Sequence, residues 1–293
     1  MTRSDRVGDV SSATERWAEA LRSWAIPDAI LGAAPESPYG FPVELFRRRA
    51  EAVLGAAPTP TTWRALEALP ARGTVLDVGA GGGSTSLGLA GRAAKIVAVD
   101  QSGSMLEAFA EAAQAAGVPA STIEGTWPEI APLVPVCDVV VCGHVLYNVQ
   151  DAAPFVAALD ARAGRRVVVE LTGEHPWAWM NDLWRRFHEL ERPSRPTAED
   201  AIDVVREAGL DARTEAREVE AGGSGFDRRD DAVALVRRRL CLPAERDHEV
   251  EEALGDRLRE RDGLWSAGPE RTRIVTIWWD TAGPPAQTAR RDT

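Results

Sequence analysis

Three glycines at alternate positions, Gly79, Gly81 and Gly83, stand in the segment VLDVGAGGGSTS, and an acid, Asp100, ends the apolar run KIVAVD that follows. Glycine has no Cβ, so a turn built from it lets the backbone pass close to a ligand where a strand hands over to a helix. A carboxylate at the carboxyl end of the next strand is placed to accept both hydroxyls of a ribose. Together these features read as a nucleoside site, with Asp77, Gly79, Ala80, Gly81 and Gly83 around the turn and Asp100 on the sugar. A dinucleotide turn would be GxGxxG, and Ser84 occupies its third glycine position, which points away from NAD and toward a different nucleoside ligand.

Such a turn needs strands and helices in alternation, and the chain provides them. TVLDV and KIVAVD read as buried strands around a helix in SLGLAGRA, followed by a helix over 104–116, strands near 120–124 and over 137–143, a helix over 152–162 and a strand over 165–171. Repetition of this kind predicts an α/β fold, a doubly wound parallel sheet covered by helices on both faces. Prolines break residues 1–70 into a helical N-terminal extension or lid, within which Trp17, Leu21 and Trp24 share helical spacing and suit a packed stripe. The main domain then spans 71–280, with insertions at 173–197, rich in tryptophan and proline, and at 222–265, where two charged helices are expected between Asp227 and Arg261. A sixth strand is expected near 212–219 and a final one over 273–280, and the tail over 281–293 reads as disordered.

The segments VLDVGAGGGSTS, IVAVDQSGSML and CDVVVCGHVLYNV resemble the motifs of the class I S-adenosylmethionine (SAM)-dependent methyltransferases, of the small-molecule type, best over residues 70–172. That resemblance implies a mostly parallel seven-stranded sheet with an antiparallel last strand, SAM across the carboxyl edge of the first strands, and in-line methyl transfer that leaves S-adenosylhomocysteine (SAH). By position it implies that Asp77, Gly79 and Gly81 line the methionine part, that Asp100 holds the ribose, and that Met105 packs near the adenine, flanked by Gln101. Where relatives carry a GDA-like triplet this chain reads Gly125, Thr126 and Trp127, so adenine would meet Thr126 and an apolar wall from Trp127. Gly143 and His144 occupy the place where the family offers backbone carbonyls to the methionine ammonium group.

A sulfonium is reactive enough that alignment and exclusion of water can supply much of the rate, so a base is useful rather than obligatory. Histidine suits that task at neutral pH. His144 and His175 follow strands at the ligand edge and are the catalytic candidates, although His144 also suits a pocket wall and His175 a loop contact; His188 and His248 read as helix-surface residues. Glu170 could be a pocket carboxylate or an arginine partner. Tyr39, Phe41, Tyr147, His175 and Trp177 are substrate-side candidates, or simply bury the extra helices. GHVLYN lacks the Asn/Asp-Pro-Pro-aromatic tetrad of amino methyltransferases, Cys142 lacks the Pro-Cys context of a pyrimidine-methylating nucleophile, and no acidic metal cluster is evident, so no metal is expected.

A formal charge of −11, from 45 acids against 34 basic residues, repels a phosphate backbone, so nucleic acid is disfavoured as a partner. The basic residues are arginines apart from Lys95, a bias that with the alanine content fits GC-rich bacterial-type coding. Three cysteines without paired spacing fit a reducing cytoplasm, and no apolar run suggests a signal peptide or membrane span. The reading is a cytoplasmic methyltransferase acting on an O or N atom of a small, partly apolar metabolite; a non-catalytic SAM-binding regulator and a protein or RNA methyltransferase are the alternatives. Oligomeric state is not written in the sequence.

Overall fold

The computed structural model describes residues 11–40, 42–220 and 225–282; Phe41, residues 222–224 of the second insertion and 283–293 of the tail lie outside them. Four helices come first: α1 (Ala13–Arg22), α2 (Asp28–Ala33), α3 (Val43–Val53) and α4 (Pro60–Ala68). The sheet region follows as β1 (Thr74–Val78), β2 (Lys95–Asp100), α5 (Gly103–Ala115), β3 (Ala120–Glu124), β4 (Cys137–Gly143), α6 (Ala152–Arg162) and β5 (Ala163–Thr172). Next are α7 (Asn181–His188), α8 (Ala198–Glu207), β6 (Arg213–Glu220), α9 (Arg229–Arg239), α10 (Asp247–Leu254), β7 (Leu258–Arg261), β8 (Leu264–Ala267) and β9 (Arg271–Asp280).

Seven strands form the main sheet in the order β3-β2-β1-β4-β5-β9-β6. The first five run parallel, and β9 lies antiparallel between β5 and β6. This is the expected sheet with one antiparallel strand. Its central strands are apolar almost throughout because both faces are covered. Successive residues alternate between the two sides: Leu76, Val78 and Val97 join a cluster with Trp17 of α1, Phe155 of α6 and Val205 of α8. Val75, Ile96 and Ala98 join another with Ala65 of α4 and Phe109 of α5. The order reverses between β1 and β4, and a crevice at the carboxyl ends of those strands is where an open sheet receives ligands.

The additions attach by specific devices. A capping box closes the start of α1, the Ser12 hydroxyl accepting the Glu15 N–H at 3.1 Å while the Ser12 N–H donates to the Glu15 carboxylate at 2.8 Å. Trp17 is fully buried and its indole N–H donates to Val149 O at 2.8 Å, which fastens α1 to the sheet domain. The two insertions share a third cluster, with Met180, Leu183 and Trp184 from the first and Val233, Val236 and Leu254 from the second.

Two elements differ from expectation. SLGLAGRA forms only a short 3-10 turn at Leu87–Leu89, because the Ser86 and Leu87 N–H groups both return to Gly83 O and Gly88 and Gly91 weaken continuation. The charged stretch through Arg261 holds α9 and α10, as expected, but then the β7–β8 hairpin. Asp262 and Gly263 turn it with φ of 53° and 78°, the left-handed pair of a type I′ turn that Asp-Gly favours.

Candidate active site

The turn after β1 is left-handed at all three alternate glycines, with φ of 69° at Gly79, 50° at Gly81 and 94° at Gly83. The N–H groups of Gly79 and Ala80 both donate to Val99 O, at 2.8 and 3.1 Å, and so pin the turn against the end of β2. A side chain at Gly79 would be strained and would also collide, since its Cβ would lie 2.3 Å from Val145 Cγ2. On the facing loop a Cβ at Gly143 would lie 2.1 Å from Thr85 Oγ1. The glycine turn and the 143–145 turn therefore interlock, and His144 sits between the two contact points.

Asp100 binds the turn from the other side. One of its carboxylate oxygens accepts the Gly81 N–H and the other the Ser102 N–H, each at 2.9 Å. Gln101 is exposed beside it, and Met105 is half-buried in the first turn of α5. Gly125 donates its N–H to Asp100 O at 3.0 Å, bringing the end of β3 to the same edge. Thr126 is exposed there, whereas Trp127 is turned into the core with its indole N–H on Phe155 O at 3.3 Å. Trp127 is thus committed to packing against α6.

Asp77 is the least ordinary group in the site. It has no exposure, no neighbour reaches either of its oxygens with full hydrogen-bond geometry, and Ser86 is the donor that stands nearest to it. Burial pushes its carboxyl up to about 7, the Asp100 charge adds to the rise, and Ser86 only partly offsets it. An acid buried beneath a glycine turn with no counter-charge beside it is a place for a cation to settle.

His144 has φ of 59°, a left-handed conformation that side chains other than glycine adopt at a cost of about 1–3 kcal/mol. Its N–H donates to Glu170 O at 2.7 Å, and its Nε2 lies 3.2 Å from Glu170 Oε1. The other Glu170 oxygen accepts the Thr61 hydroxyl, and Thr61 also hydrogen-bonds Thr276 at 2.7 Å. Burial alone would push the Glu170 carboxyl up; His144, Thr61 and Arg217 outweigh it and hold the group below the usual carboxylate range. Glu170 thus faces a histidine and a hydroxyl directly, with Arg217 contributing its charge.

The remaining candidates are gathered elsewhere. His175 is buried, stacked on Trp24 with ring centroids 3.7 Å apart, and edge-on to Tyr147 at 5.3 Å. Burial first, then the Arg192 charge, lowers its imidazole to about 3, so it stays neutral at physiological pH. Tyr147 donates its hydroxyl to Thr172 O at 2.8 Å and stacks on Trp17. Trp177 lies under the Arg239 guanidinium at 4.2 Å. The structure thus brings His175, Tyr147 and Trp177 into the packing that fastens the N-terminal helices and the first insertion. Tyr39 is exposed. His188 is not a free surface group, since its Nε2 hydrogen-bonds Leu240 O; His248 is exposed on α10. Cys142 is fully buried, and burial pushes its thiol upward, away from the thiolate. Among the described residues no three or more His, Cys, Asp or Glu side chains gather as a metal site, and no helix is long and apolar enough to cross a membrane.

Two residues at the site carried no signal in the sequence. Phe46 of α3 covers the glycine turn: a Cβ at Gly81 would lie 3.0 Å from its ring, and one at Gly82 2.7 Å from its carbonyl oxygen. Thr61 reaches Glu170 from α4. Both come from the extension, across sequence gaps that no local pattern bridges. A separate open cavity of about 390 Å³ lies between α3 and α9, with Leu45, Arg48, Phe226 and Leu235 among its walls.

Residues 75–162 match the sequence profile of a family described as "Methyltransferase domain". A protein of Haemophilus influenzae described only as uncharacterized is 26% identical over 208 residues, covering 70% of this chain and 75% of its own length. Among solved structures, the YcgJ protein of Bacillus subtilis is 18% identical with a TM-score of 0.48, covering 75% of this chain and 97% of that one. Magnesium protoporphyrin IX methyltransferase of Synechocystis, solved with bound SAH, is 15% identical with a TM-score of 0.44, covering 91% and 99%. Residues 75–162 thus carry the sequence pattern of the methyltransferase domain, within an α/β sheet whose order and glycine turn are those described above.

Proposed function

We propose that this protein is a methyltransferase that uses SAM as its donor, held at the turn of Gly79, Gly81 and Gly83, and that it methylates an O or N atom of a small, partly apolar molecule. The observation that carries the donor reading is Asp77, a fully buried carboxylate beneath the glycine turn with no positive side chain paired to it among the described residues. SAM brings an ammonium and a sulfonium, and a cation near Asp77 relieves the desolvation that now raises its pKa. Asp100 at the end of β2 suits the ribose hydroxyls, Gly81 and Gly83 leave room for close approach, and Met105 with Thr126 borders the place for adenine. The sulfonium supplies an activated methyl group when bound. The chain's own part is to align an acceptor behind that methyl and keep water away.

The small-molecule reading rests on the net charge of −11, which disfavours RNA as an acceptor. The extension over 1–70 then serves as a cover, and a reducing cytoplasm suits the buried thiols of Cys137, Cys142 and Cys241. Incubation with methyl-labelled SAM and separated small-molecule, RNA and protein fractions tests it. Label is expected in the small-molecule fraction; label confined to RNA or protein would overturn the acceptor class.

A further inference from the structure

We propose that Glu170 is a positioning residue that holds His144 as a general base, and hence that the acceptor is one that must shed a proton, an O–H or N–H group. The inference rests on the methyl-transfer reading above and narrows it.

Placement comes first. Gly143 and Val145, the residues on either side of His144, are the ones that touch the glycine turn, through Thr85 and Gly79. The methyl donor assigned to that turn therefore has His144 as an immediate neighbour. The imidazole is 42% exposed while its partner carboxylate is only 14% exposed, so the pair points from a buried anchor toward the open edge of the sheet.

Orientation comes next. The left-handed backbone of His144 is held by its N–H on Glu170 O at 2.7 Å, and its ring by Nε2 at 3.2 Å from Glu170 Oε1. Both grips come from one residue. Thr61 of α4 in turn fixes the carboxylate, and Thr276 of β9 holds the Thr61 hydroxyl. A carboxylate at Nε2 selects the tautomer with its proton there and leaves Nδ1 as the acceptor. The other histidines lack this arrangement: His175 is stacked under Trp24, His188 is tied to Leu240 O, and His248 is exposed on α10.

The step balances simply. As the bond from the acceptor oxygen or nitrogen to the methyl carbon forms, the bond from that carbon to sulfur breaks and its electron pair stays on sulfur as a neutral thioether. The acceptor's proton passes to His144 Nδ1, so the positive charge lost from sulfur appears on the imidazolium that Glu170 stabilises. A carboxylate, thiolate or other acceptor without a proton to lose would give this pair nothing to do.

The test uses the full chain with SAH added, and the variants Glu170→Gln and His144→Asn, the latter because asparagine tolerates a left-handed backbone. Nitrogen-15 spectra of labelled histidines, with the His144 signal identified by its loss in His144→Asn, should show the Nε2-protonated tautomer in the wild type and its partial loss in Glu170→Gln. SAH affinity should stay within about twofold in both variants. With the acceptor returned by the labelled-SAM experiment, kcat should fall roughly 10- to 100-fold in each variant with KM for SAM unchanged, a share of the roughly 10²–10⁴ that a general base supplies; the double variant should be no slower than the worse single one. An Nδ1-protonated His144, a Glu170→Gln spectrum like the wild type's, or an acceptor with no proton to lose would each overturn the proposal. Failure of the wild type to bind SAH would instead defeat the donor reading, and the tautomer result would stand apart from it.

Discussion

Replacing Asp77 by asparagine should raise stability and lower donor affinity together, with a pH signature fixed by the buried carboxyl. A rise from an ordinary 3.8 to about 7, at 1.36 kcal/mol per unit, corresponds to about 4 kcal/mol of penalty on the ionised folded state. Because the folded value lies above the unfolded one, the penalty is absent below the unfolded pKa. It grows as the unfolded chain ionises while the folded chain keeps its proton, and it is complete above about pH 7. Between pH 5 and pH 8 the wild type should therefore lose about 3 kcal/mol through this group, and Asp77→Asn should not. The asparagine amide leaves its own groups unpaired, at about 1–3 kcal/mol, so the variant's net gain at pH 8 is about 1–3 kcal/mol. Urea unfolding of both proteins without SAM, at pH 5 and pH 8, measures the difference of differences directly. Equal pH dependence in the two proteins, or a variant less stable than the wild type at pH 8, would refute the idea that Asp77 is a buried acid waiting for a cation.

Gly79→Ala places a methyl 2.3 Å from Val145 Cγ2 at a φ of 69°; a loss of at least about 2 kcal/mol of unfolding free energy is expected, with SAH binding lost under conditions where the variant is still folded. Trp17→Ala removes a fully buried indole and its hydrogen bond to Val149 O, and should lower stability by about 3–5 kcal/mol in urea unfolding. Phe46→Ala removes the ring over Gly81; stopped-flow mixing should show faster association with SAH, and an unchanged on-rate would deny the Phe46 ring a covering role. Glu170 lies below its ordinary value because His144, Thr61 and Arg217 outweigh burial, so its contribution is fully present above the usual carboxylate range and is lost as pH falls from there through the lowered folded value; acid unfolding of Glu170→Gln should lack that component.

The parts of the fold that repeat locally were legible in the chain. Parallel strands buried on both faces announce themselves as runs such as TVLDV and VVVE, and the alternate glycines require one kind of turn. Gly79, Gly81 and Asp100 meet as their spacing implied, joined by the Gly81 N–H on the Asp100 carboxylate. Elsewhere local pattern was a poor guide. SLGLAGRA has helical composition, but Gly83 O captures the returning N–H groups and only a 3-10 turn forms. Asp262-Gly263 was a usable hairpin signal hidden within a charged stretch.

Side chains whose role depends on distant partners were the least legible. His144 and His175 look equivalent in sequence, each just beyond a strand. Glu170 reaches His144 from the neighbouring strand, whereas Trp24, 151 positions before His175, stacks on it and keeps it neutral. Trp127 looked like a cofactor wall because its neighbours border the site, but its ring lies among core residues with Phe155. Thr61 and Phe46 become site residues only through the docking of α3 and α4, which no pattern near the glycine turn records.

The claim that the glycine turn holds the methyl donor is tested most directly by calorimetric titration of SAM into the full chain and into Asp100→Ala. A saturable one-site heat is expected in the wild type, weakened or lost in the variant while its fold is retained. No binding heat in the wild type, or equal affinity in both proteins, would contradict the account.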